Sequence, residues 1–304
     1  MKDRGELKVK GKETLVRTYE VRRRLDEFGT SQMVSSTVFV GREEALETLK
    51  ACERGLLGQR GRIVCIVGES GLGKSRLLAE GRDWLNAQAG ETPPQWLDLR
   101  ALSFSEQVGY WLISQAVLGV LAPKPDDSPD EILFNLWQLG NELLGKETAR
   151  EAVPFLAQML NLKLQGEWAR WVRDLDPKVR QKQTLWAVRE FFAAAARKRP
   201  LVLAVDDLHY ADEASLAAFE DLLQVTVAEP LLLIFLFRQQ REKGCWRLRD
   251  RAASAYPHRF TELQLLPFST AESAQMFAQL LPGAVFGEAQ QRELFAKTAG
   301  NTFY

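Results

Sequence analysis

The sequence predicts an α/β fold in which a parallel five-stranded sheet carries helices on both faces and a large helical insertion. Two predicted strands, Leu201–Val205 and Leu231–Phe237, are continuous apolar runs that begin after Pro200 and Pro230, the pattern of parallel strands buried on both faces. A third apolar run leads directly into a glycine-rich turn, as a phosphate-binding loop requires. The five predicted strands are residues 62–67, 95–99, 201–205, 231–237 and 259–265.

The segment ahead of the first core strand has a different character. Residues 1 to about 37 alternate charged with apolar side chains in a short strand-like pattern, and the polar stretch Gly29–Gln32 predicts a linker. From Gly41 to Leu57, apolar residues recur at helical spacing. We therefore expect a helix before the strand Arg62–Val67.

The glycine-rich turn has the sequence Gly-Glu-Ser-Gly-Leu-Gly-Lys-Ser and lies between a strand and a predicted helix, Ser75–Gln88. Its glycines let backbone N–H groups turn towards phosphates, Lys74 reaches the outer phosphate oxygens, and the Ser75 hydroxyl is suited to ligate magnesium. The pattern predicts nucleoside triphosphate binding. The residues predicted to hold the nucleotide here are Gly68, Gly71, Leu72, Gly73, Lys74, Ser75 and Arg76.

Residues 104–198 contain no convincing strand. Amphipathic stretches near 106–121, 130–144, 151–164 and 178–197 predict helices instead. The aromatic residues of this insertion fall at helical spacing, which favours core or interface positions over a cofactor site. They are Trp168, Trp171, Trp186, Phe191 and Phe192.

Two carboxylates follow the apolar run Leu201–Val205. Asp206 is assigned to magnesium, through water, at the end of a strand neighbouring the glycine-rich turn. Asp207 is placed to orient or deprotonate an attacking water, although a helix cap is an alternative role for it. For Asp212 we favour a cap of the helix that begins near Glu213.

Further candidates follow the carboxylates along the chain. Arg238 comes directly after Leu231–Phe237, so it pairs either with a terminal phosphate or with a surface carboxylate at the strand end. His209 senses the nucleotide, packs against a partner domain or is a hydrogen-bonded structural histidine. Pro267 ends the last strand, and helices are predicted near 269–281 and 287–298.

Composition limits the function classes. The 40 Lys and Arg residues balance the 40 Asp and Glu residues, so the global charge gives nucleic-acid binding no support. Cys52, Cys65 and Cys245 lack the spacing of a zinc site, and we expect reduced thiols in a cytoplasmic protein. The longest apolar run is too short to cross a bilayer, and Met1–Lys12 lacks the apolar core of a secretion signal.

Taken together, these segments resemble the ATPase module of the STAND class, the AAA-related signal-transduction NTPases with numerous domains, over about residues 38–304. In this class the segment that contains Val40, Gly41 and Arg42 lines the adenine pocket, and the proline after the last strand touches the nucleotide, which implies Pro267. The resemblance rests on the order of Val38–Glu43, the glycine-rich turn, Val205–Asp212, Arg238, Leu266–Ser269 and Gly300–Phe303.

The same resemblance implies a domain layout. The ATPase core would cover residues 38–268, with the insertion at about 104–198, and residues 269–304 would start a helical lid domain. Two positions depart from the class, which usually has Trp where Tyr210 stands and Pro where Thr302 stands.

The beginning of the chain resembles another family. Leu7–Lys12 and Val16–Val21 are similar to the final hairpin of class III adenylate or guanylate cyclase catalytic domains. Residues 1–30 would then be a cyclase remnant plus linker, cut from a parent protein with the cyclase body upstream and winged-helix and repeat domains downstream. The metal-binding aspartates of a cyclase precede this hairpin, so we expect no cyclase activity from this chain alone.

The STAND resemblance implies a regulatory switch that binds ATP or ADP with Mg²⁺ and hydrolyses ATP slowly, with Lys74, Asp207 and Arg238 carrying the chemistry. Its partners would be the cyclase and repeat domains of the same parent protein, and homo-oligomerisation stays open. Two alternatives stay open as well. One is a P-loop kinase that phosphorylates a small molecule held by the insertion; the other is a DNA-linked AAA ATPase of the initiator type, which would need a basic helix-turn-helix after the core.

Overall fold

The computed structural model describes residues 2–7, 16–20, 39–90, 92–280, 288–298 and 300–301. The chain divides into two compact units, Met1–Phe39 and Val40–Tyr304. In the first unit, β1 (Lys2–Leu7) and β2 (Val16–Glu20) pair antiparallel. The predicted linker, and residues 8–12 and 21 of the predicted hairpin, lie outside the described residues.

The second unit is built on the predicted parallel sheet. Each strand pairs in parallel with its neighbours, and the order across the sheet is β4-β5-β6-β3-β7. The α/β fold class is therefore confirmed, because all five predicted strands are present within one residue of their expected ends. The strands are β3 (Arg62–Val67), β4 (Gln95–Arg100), β5 (Leu201–Asp206), β6 (Leu231–Phe237) and β7 (Phe260–Gln264).

The strand order corrects one expectation. The strand that ends in Asp206 was expected beside the strand that leads into the glycine-rich turn, but β6 lies between β5 and β3. All seven residues of β6 are apolar and buried, so this strand suits the centre of a sheet covered on both faces. Asp206 and Ser75 therefore meet across the end of an intervening strand.

Helices cover both faces of the sheet. In the first half of the unit they are α1 (Glu43–Leu57), α2 (Lys74–Gln88), α3 (Trp111–Leu121), α4 (Pro129–Leu144), α5 (Lys146–Met159), α6 (Gly166–Asp174) and α7 (Pro177–Lys198). In the second half they are α8 (Glu213–Leu222), α9 (Val225–Ala228), α10 (Gly244–Ala255), α11 (Thr270–Leu280) and α12 (Glu288–Thr298). Short 3₁₀ turns occur at Ser105–Gln107 and Leu208–Tyr210.

The helical insertion is present and has one more helix than expected. Residues 101–200, all of them described, contain no strand, and α6 is the addition. At nine residues, α6 is too short for its periodicity to stand out in the sequence. Local signals explain the starts of the longer helices: Ser128 and Glu131 form a capping box before α4, and Asp176 caps α7.

The insertion packs on the sheet through its own apolar core. Phe155 of α5 and Phe191 and Phe192 of α7 are fully buried, in one cluster with apolar residues of β5 and β6. The predicted core positions of Phe191 and Phe192 are therefore confirmed. Trp168 and Trp171 of α6 pack against each other, and Trp171 also meets Phe155.

Parallel pairing places the carboxyl ends of all five strands at one edge of the sheet. The glycine-rich turn, Arg100, Asp206, Arg238 and Leu265 directly follow or end these strands. Among the described residues, no helix is long and apolar enough to cross a membrane. The three cysteines are buried and free of disulfides.

Candidate nucleotide-binding site

The glycine-rich turn has the backbone conformation that its glycines allow. Gly71 and Gly73 adopt φ angles of +79° and +82°, a region that residues with a Cβ rarely enter. The N–H of Gly68 donates to the Phe237 carbonyl at 3.2 Å, and a Cβ on Gly68 would lie 3.0 Å from the Leu265 carbonyl oxygen. The turn is thus held between the ends of β6 and β7.

Lys74 opens α2 and folds back over the turn. Its Nζ donates to the carbonyl oxygens of Gly68 and Glu69 at 2.8 and 2.9 Å, and only 8% of the residue is exposed. Burial lowers the pKa of Lys74, while the charges of Asp206 and Asp207 act in the opposite direction. The ammonium group therefore lies on the turn and close to both carboxylates.

Ser75 and Asp206 meet directly, although 131 positions separate them. The Ser75 Oγ donates to Asp206 Oδ2 at 2.8 Å, and Asp206 Oδ1 accepts from the Asp207 N–H at 2.9 Å. A hydroxyl beside a carboxylate is an oxygen donor set that suits Mg²⁺. The two residues fit the predicted cation, and their role as its ligands stays a prediction.

Asp207 adopts a left-handed backbone conformation with φ at +56°, which Asp tolerates better than most residues. Its Oδ2 pairs with Nη2 of Arg100 at 3.3 Å. Sequence reasoning missed Arg100, although it directly follows the predicted strand 95–99 and therefore belongs at the same edge as the carboxylates. Asp207 is consequently an ion-paired carboxylate in this structure.

Arg238 lies at the end of β6, beside the anchor point of the glycine-rich turn. Burial is the main cause that lowers the pKa of Lys74 and of His209, and the charge of Arg238 contributes in the same direction. Within the part of the chain that the structure describes, Arg238 makes no hydrogen bond or ion pair. The surface salt bridge considered for it is therefore not observed, and pairing with a terminal phosphate stays a prediction.

His209 is buried, with 2% of the residue exposed, and its ring lies 4.2 Å from the Tyr210 ring. Neither ring nitrogen has a hydrogen-bond partner among the described residues. Burial lowers the pKa of His209, with Asp207 opposing this effect, so the imidazole is neutral near pH 7. The hydrogen-bonded structural histidine considered from the sequence is not what the structure contains.

The residues expected at the adenine pocket converge on the segment that follows β7. Arg42 donates to the Leu266 carbonyl oxygen, and its guanidinium carbon lies 4.6 Å from the centre of the Phe268 ring. Gly41 has a φ of +71°, and a Cβ there would lie 2.8 Å from Glu272 Oε1. Val40 is buried beside this contact, whereas Pro267 is exposed between Leu266 and Phe268. Their contacts with a base stay predictions.

The segment after α12 reaches the same edge. The Asn301 side chain donates from Nδ2 to the Ser70 carbonyl oxygen at 2.9 Å. Next to it, Gly300 accepts a hydrogen bond from the Phe268 N–H at 2.9 Å. The sequence motif at 300–303 marked this segment, but no local signal indicated that it touches the glycine-rich turn.

Three other candidates, Asp212, Arg76 and Leu72, have clear positions. The Asp212 carboxylate accepts hydrogen bonds from the N–H groups of Ser215, Tyr110 and Trp111 at 2.8, 2.7 and 3.1 Å. The predicted cap is confirmed, and the same side chain also caps the start of α3. Arg76 directs its guanidinium to Glu80 one turn along α2, at 2.6 Å. Its contact with a nucleotide therefore stays a prediction, as does that of Leu72, which is buried inside the turn.

The chain is similar in sequence to a curated protein and similar in structure to solved proteins. An uncharacterised protein of Rhizobium meliloti (strain 1021) is 24% identical over 201 residues, which are 64% of this chain and 18% of that protein. The chain thus spans less than a fifth of this curated relative. The Aeropyrum pernix ORC1 protein in complex with DNA superposes with a TM-score of 0.48 at 12% identity, over 89% of this chain and 63% of that one. Drosophila ORC bound to DNA gives 0.44 at 17% identity, over 94% and 62%.

A family model matches most of the chain. Residues 38–234 match the model of the AAA ATPase domain, and the matched range includes the glycine-rich turn, Asp206 and Asp207. The five-stranded parallel sheet with a P-loop at its carboxyl edge is the fold expected of a P-loop NTPase. Because the match covers more than half of the chain, the protein belongs to the AAA ATPase domain family.

Proposed function

We propose that this chain is the ATP-binding switch module of a larger signalling protein of the STAND class, and that it hydrolyses ATP slowly. Membership of the AAA ATPase domain family supports the ATPase part of this proposal. The observation that carries it is the meeting of Lys74, Ser75 and Asp206 at one edge of the sheet. The turn supplies N–H groups and an ammonium group for phosphates, and β5 supplies a carboxylate.

In this proposal Ser75 and Asp206 hold Mg²⁺, and Lys74 pairs with phosphate oxygens. The bound cation would neutralise phosphate charge, which lowers the barrier to attack on the terminal phosphorus. Lys74 can serve this role by exchanging its two carbonyl partners in the turn for phosphate oxygens. Arg238, without an ion pair in the described structure, is assigned to the terminal phosphate and would distinguish ATP from ADP.

The arrangement around Asp207 supports slow turnover. We assign this carboxylate to orienting the attacking water, and Arg100 occupies one of its oxygens. An oxygen that accepts from a guanidinium is poorly placed to accept a proton from water as well. Hydrolysis would therefore be slowed while the Arg100–Asp207 pair keeps that oxygen from the attacking water.

Contacts between the sheet edge and the segments around it support a role as a nucleotide-dependent switch. Arg42 contacts Leu266, Phe268 contacts Gly300, and Asn301 contacts the glycine-rich turn. A nucleotide whose base is held by Val40, Gly41, Arg42 and Pro267 would bridge the sheet and the helices that follow β7. ATP and ADP would then favour different arrangements of α11 and α12.

The parent protein is also part of the proposal. The chain spans 18% of the curated relative's length, and its partners in this proposal are the cyclase, winged-helix and repeat domains that the resemblance implies. The antiparallel pair β1–β2 is compatible with the end of a cyclase domain. We place the protein in the cytoplasm.

Calorimetry with Mg-ATP and Mg-ADP tests the proposal. Wild-type protein is expected to bind both nucleotides, and Lys74→Ala is expected to lose about 1.5 to 3 kcal/mol or more of binding free energy, roughly tenfold to hundredfold in Kd. Lys198→Ala, which removes an exposed lysine at the end of α7, is the matched control. Unchanged affinity in a folded Lys74→Ala variant would overturn the proposal.

A hydrolysis assay completes the test. The proposal expects phosphate release from ATP with no added acceptor and no DNA. Turnover that appears only with a small-molecule acceptor would favour the kinase alternative. Turnover that requires duplex DNA and falls steeply with salt would favour the initiator alternative.

A further inference from the structure

The contact between Asn301 and Ser70 joins two segments that lie 231 positions apart. Ser70 is exposed near the tip of the glycine-rich turn, and its carbonyl oxygen accepts from Asn301 Nδ2 at 2.9 Å. The Asn301 N–H donates to the Thr298 carbonyl oxygen at 2.9 Å, which fixes the side chain just beyond the last turn of α12. The carboxamide therefore links α12 to the turn directly.

Gly300 fixes the position of Asn301 from the other side. Its φ of +72° is in the left-handed region, and a Cβ there would lie 2.9 Å from the Phe268 backbone N and closer still to the Phe268 carbonyl oxygen. The Gly300 carbonyl oxygen accepts from that same backbone N–H at 2.9 Å. Only glycine fits this close approach, so residues 300–301 are seated on the Phe268 segment.

Holding the Ser70 carbonyl has a consequence for phosphate binding. The Ser70 C=O and the Gly71 N–H belong to one planar trans peptide unit, so they point in opposite directions. When Asn301 fixes the carbonyl, it also fixes the direction of the Gly71 N–H. Phosphate-binding turns act through the orientation of such N–H groups.

We propose that Asn301 is a positioning residue for the glycine-rich turn, and that it makes nucleotide affinity depend on the docking of residues 300–301. This inference rests on the proposed function, since it takes the turn to be the nucleotide site. Linkage makes the effect reciprocal: a nucleotide that prefers the fixed turn stabilises the docked segment by the same factor. The stability of the docked α12 would thereby depend on whether a nucleotide occupies the glycine-rich turn.

The test compares the wild-type chain with Asn301→Ala, Asn301→Asp and Gly300→Ala. Loss of one neutral hydrogen bond predicts that Asn301→Ala weakens Mg-ATP binding about three- to tenfold. Asn301→Asp should weaken it further, because a carboxylate would face the Ser70 carbonyl oxygen. Gly300→Ala should resemble Asn301→Ala, since it displaces the carboxamide without altering it. Asn141→Ala, an exposed residue near the end of α4, is the matched control.

Hydrogen exchange distinguishes a positioning role of Asn301 from a contribution to stability alone, because it measures how Mg-ATP changes the protection of α12. In the wild-type protein, Mg-ATP should increase the protection of residues 288–298, and in Asn301→Ala this gain should vanish while melting temperature stays near the wild-type value. Wild-type affinity in Asn301→Ala, together with loss of binding in Lys74→Ala, would overturn this inference alone. Absence of nucleotide binding by the wild-type chain would overturn the proposed function as well.

Discussion

The carboxyl edge of the sheet and the helical insertion are built on different principles. The edge depends on backbone conformations that most residues avoid, with positive φ at Gly41, Gly71, Gly73, Asp207 and Gly300, and on polar contacts between distant segments. The insertion depends on apolar side chains on one face of each helix, buried against α7 and the sheet. We therefore expect site geometry and fold stability to be carried by separate sets of residues.

This difference predicts that substitutions in the two regions have separable effects. A core substitution should lower the free energy of unfolding and leave the nucleotide affinity of the folded protein intact. A substitution at the carboxyl edge of the sheet should lower the nucleotide affinity and leave the free energy of unfolding nearly unchanged. The four predictions below test this separation, from the largest expected effect to the smallest.

The largest effect is expected from Phe155→Ala in the insertion. Phe155 is fully buried in α5, with its ring 5.0 Å from that of Trp171. The cavity left behind should lower the free energy of unfolding by about 3 to 5 kcal/mol in urea denaturation. Phe134→Ala, at a 60% exposed position on α4, should change it by less than about 0.5 kcal/mol.

Nucleotide affinity is the second measurement on Phe155→Ala. The separation of the two regions predicts a Kd for Mg-ATP within about twofold of wild type, measured where the variant is fully folded. A loss of tenfold or more would contradict the separation and would place the insertion in direct communication with the site.

The next effect is expected from Asp206→Asn at the edge. Magnesium should lower the Kd for ATP in the wild-type protein. In the variant, the factor by which magnesium lowers this Kd should be about tenfold to hundredfold smaller, because a charged oxygen donor becomes neutral. Calorimetry with and without magnesium measures the difference. Asp98→Asn is the control: Asp98 is an exposed carboxylate on β4 that pairs with Arg82. An Asp206→Asn variant that keeps its full magnesium dependence would remove Asp206 from the cation site.

An intermediate effect is expected from Glu53→Gln. Glu53 on α1 is fully buried, its carboxylate oxygens have no hydrogen-bond partner in the described part of the chain, and burial raises its pKa to about 8. The folded state therefore keeps a proton that the unfolded chain releases above its ordinary pKa of 4.5. The stabilising contribution of the protonated carboxyl is full below pH 4.5 and is lost as pH rises through 8.

The amide of Glu53→Gln cannot ionise, so the difference in unfolding free energy between the variant and wild type should grow with pH. Between pH 5 and pH 8 we expect about 1 to 3 kcal/mol in favour of the variant, measured by denaturation across the pH series. Affinity for ATP should stay unchanged, because Glu53 belongs to the contact between α1 and α2. A difference that does not vary with pH would show that Glu53 is ionised in the folded protein.

The smallest effect is expected from Arg100→Ala. Arg100 is more than half exposed, so loss of its pair with Asp207 should change the unfolding free energy by less than about 1 kcal/mol. Freeing the Asp207 oxygen should raise the hydrolysis rate by roughly two- to fivefold, the rate equivalent of a change below about 1 kcal/mol. A slower variant would mean that Arg100 helps to orient Asp207 instead of restraining it.

Much of the fold could be predicted from local pattern. Continuous apolar runs identified β5 and β6, and amphipathic spacing located the long helices of the insertion. The short helix α6 escaped because nine residues give too few turns for a periodic signal. The glycines and Lys74 were identifiable because the requirements of a phosphate-binding turn lie within eight consecutive residues.

The contacts of the site were harder to predict because they join residues far apart in the chain. Strand order was misjudged, since an apolar strand carries the same pattern whichever strands flank it. The Arg100–Asp207 pair, the second cap made by Asp212 and the Asn301–Ser70 contact each depend on where an entire segment is placed.

The sequence by itself determined the fold class and the position of the glycine-rich turn, because local sterics and hydrophobic burial act on neighbouring residues. Tertiary structure alone decided that β6 separates β5 from β3, that Ser75 still reaches Asp206, and that Asn301 contacts the turn. A hydrogen bond requires two groups to come within about 3 Å in the right direction, and only the packing of the whole sheet and its helices sets that distance.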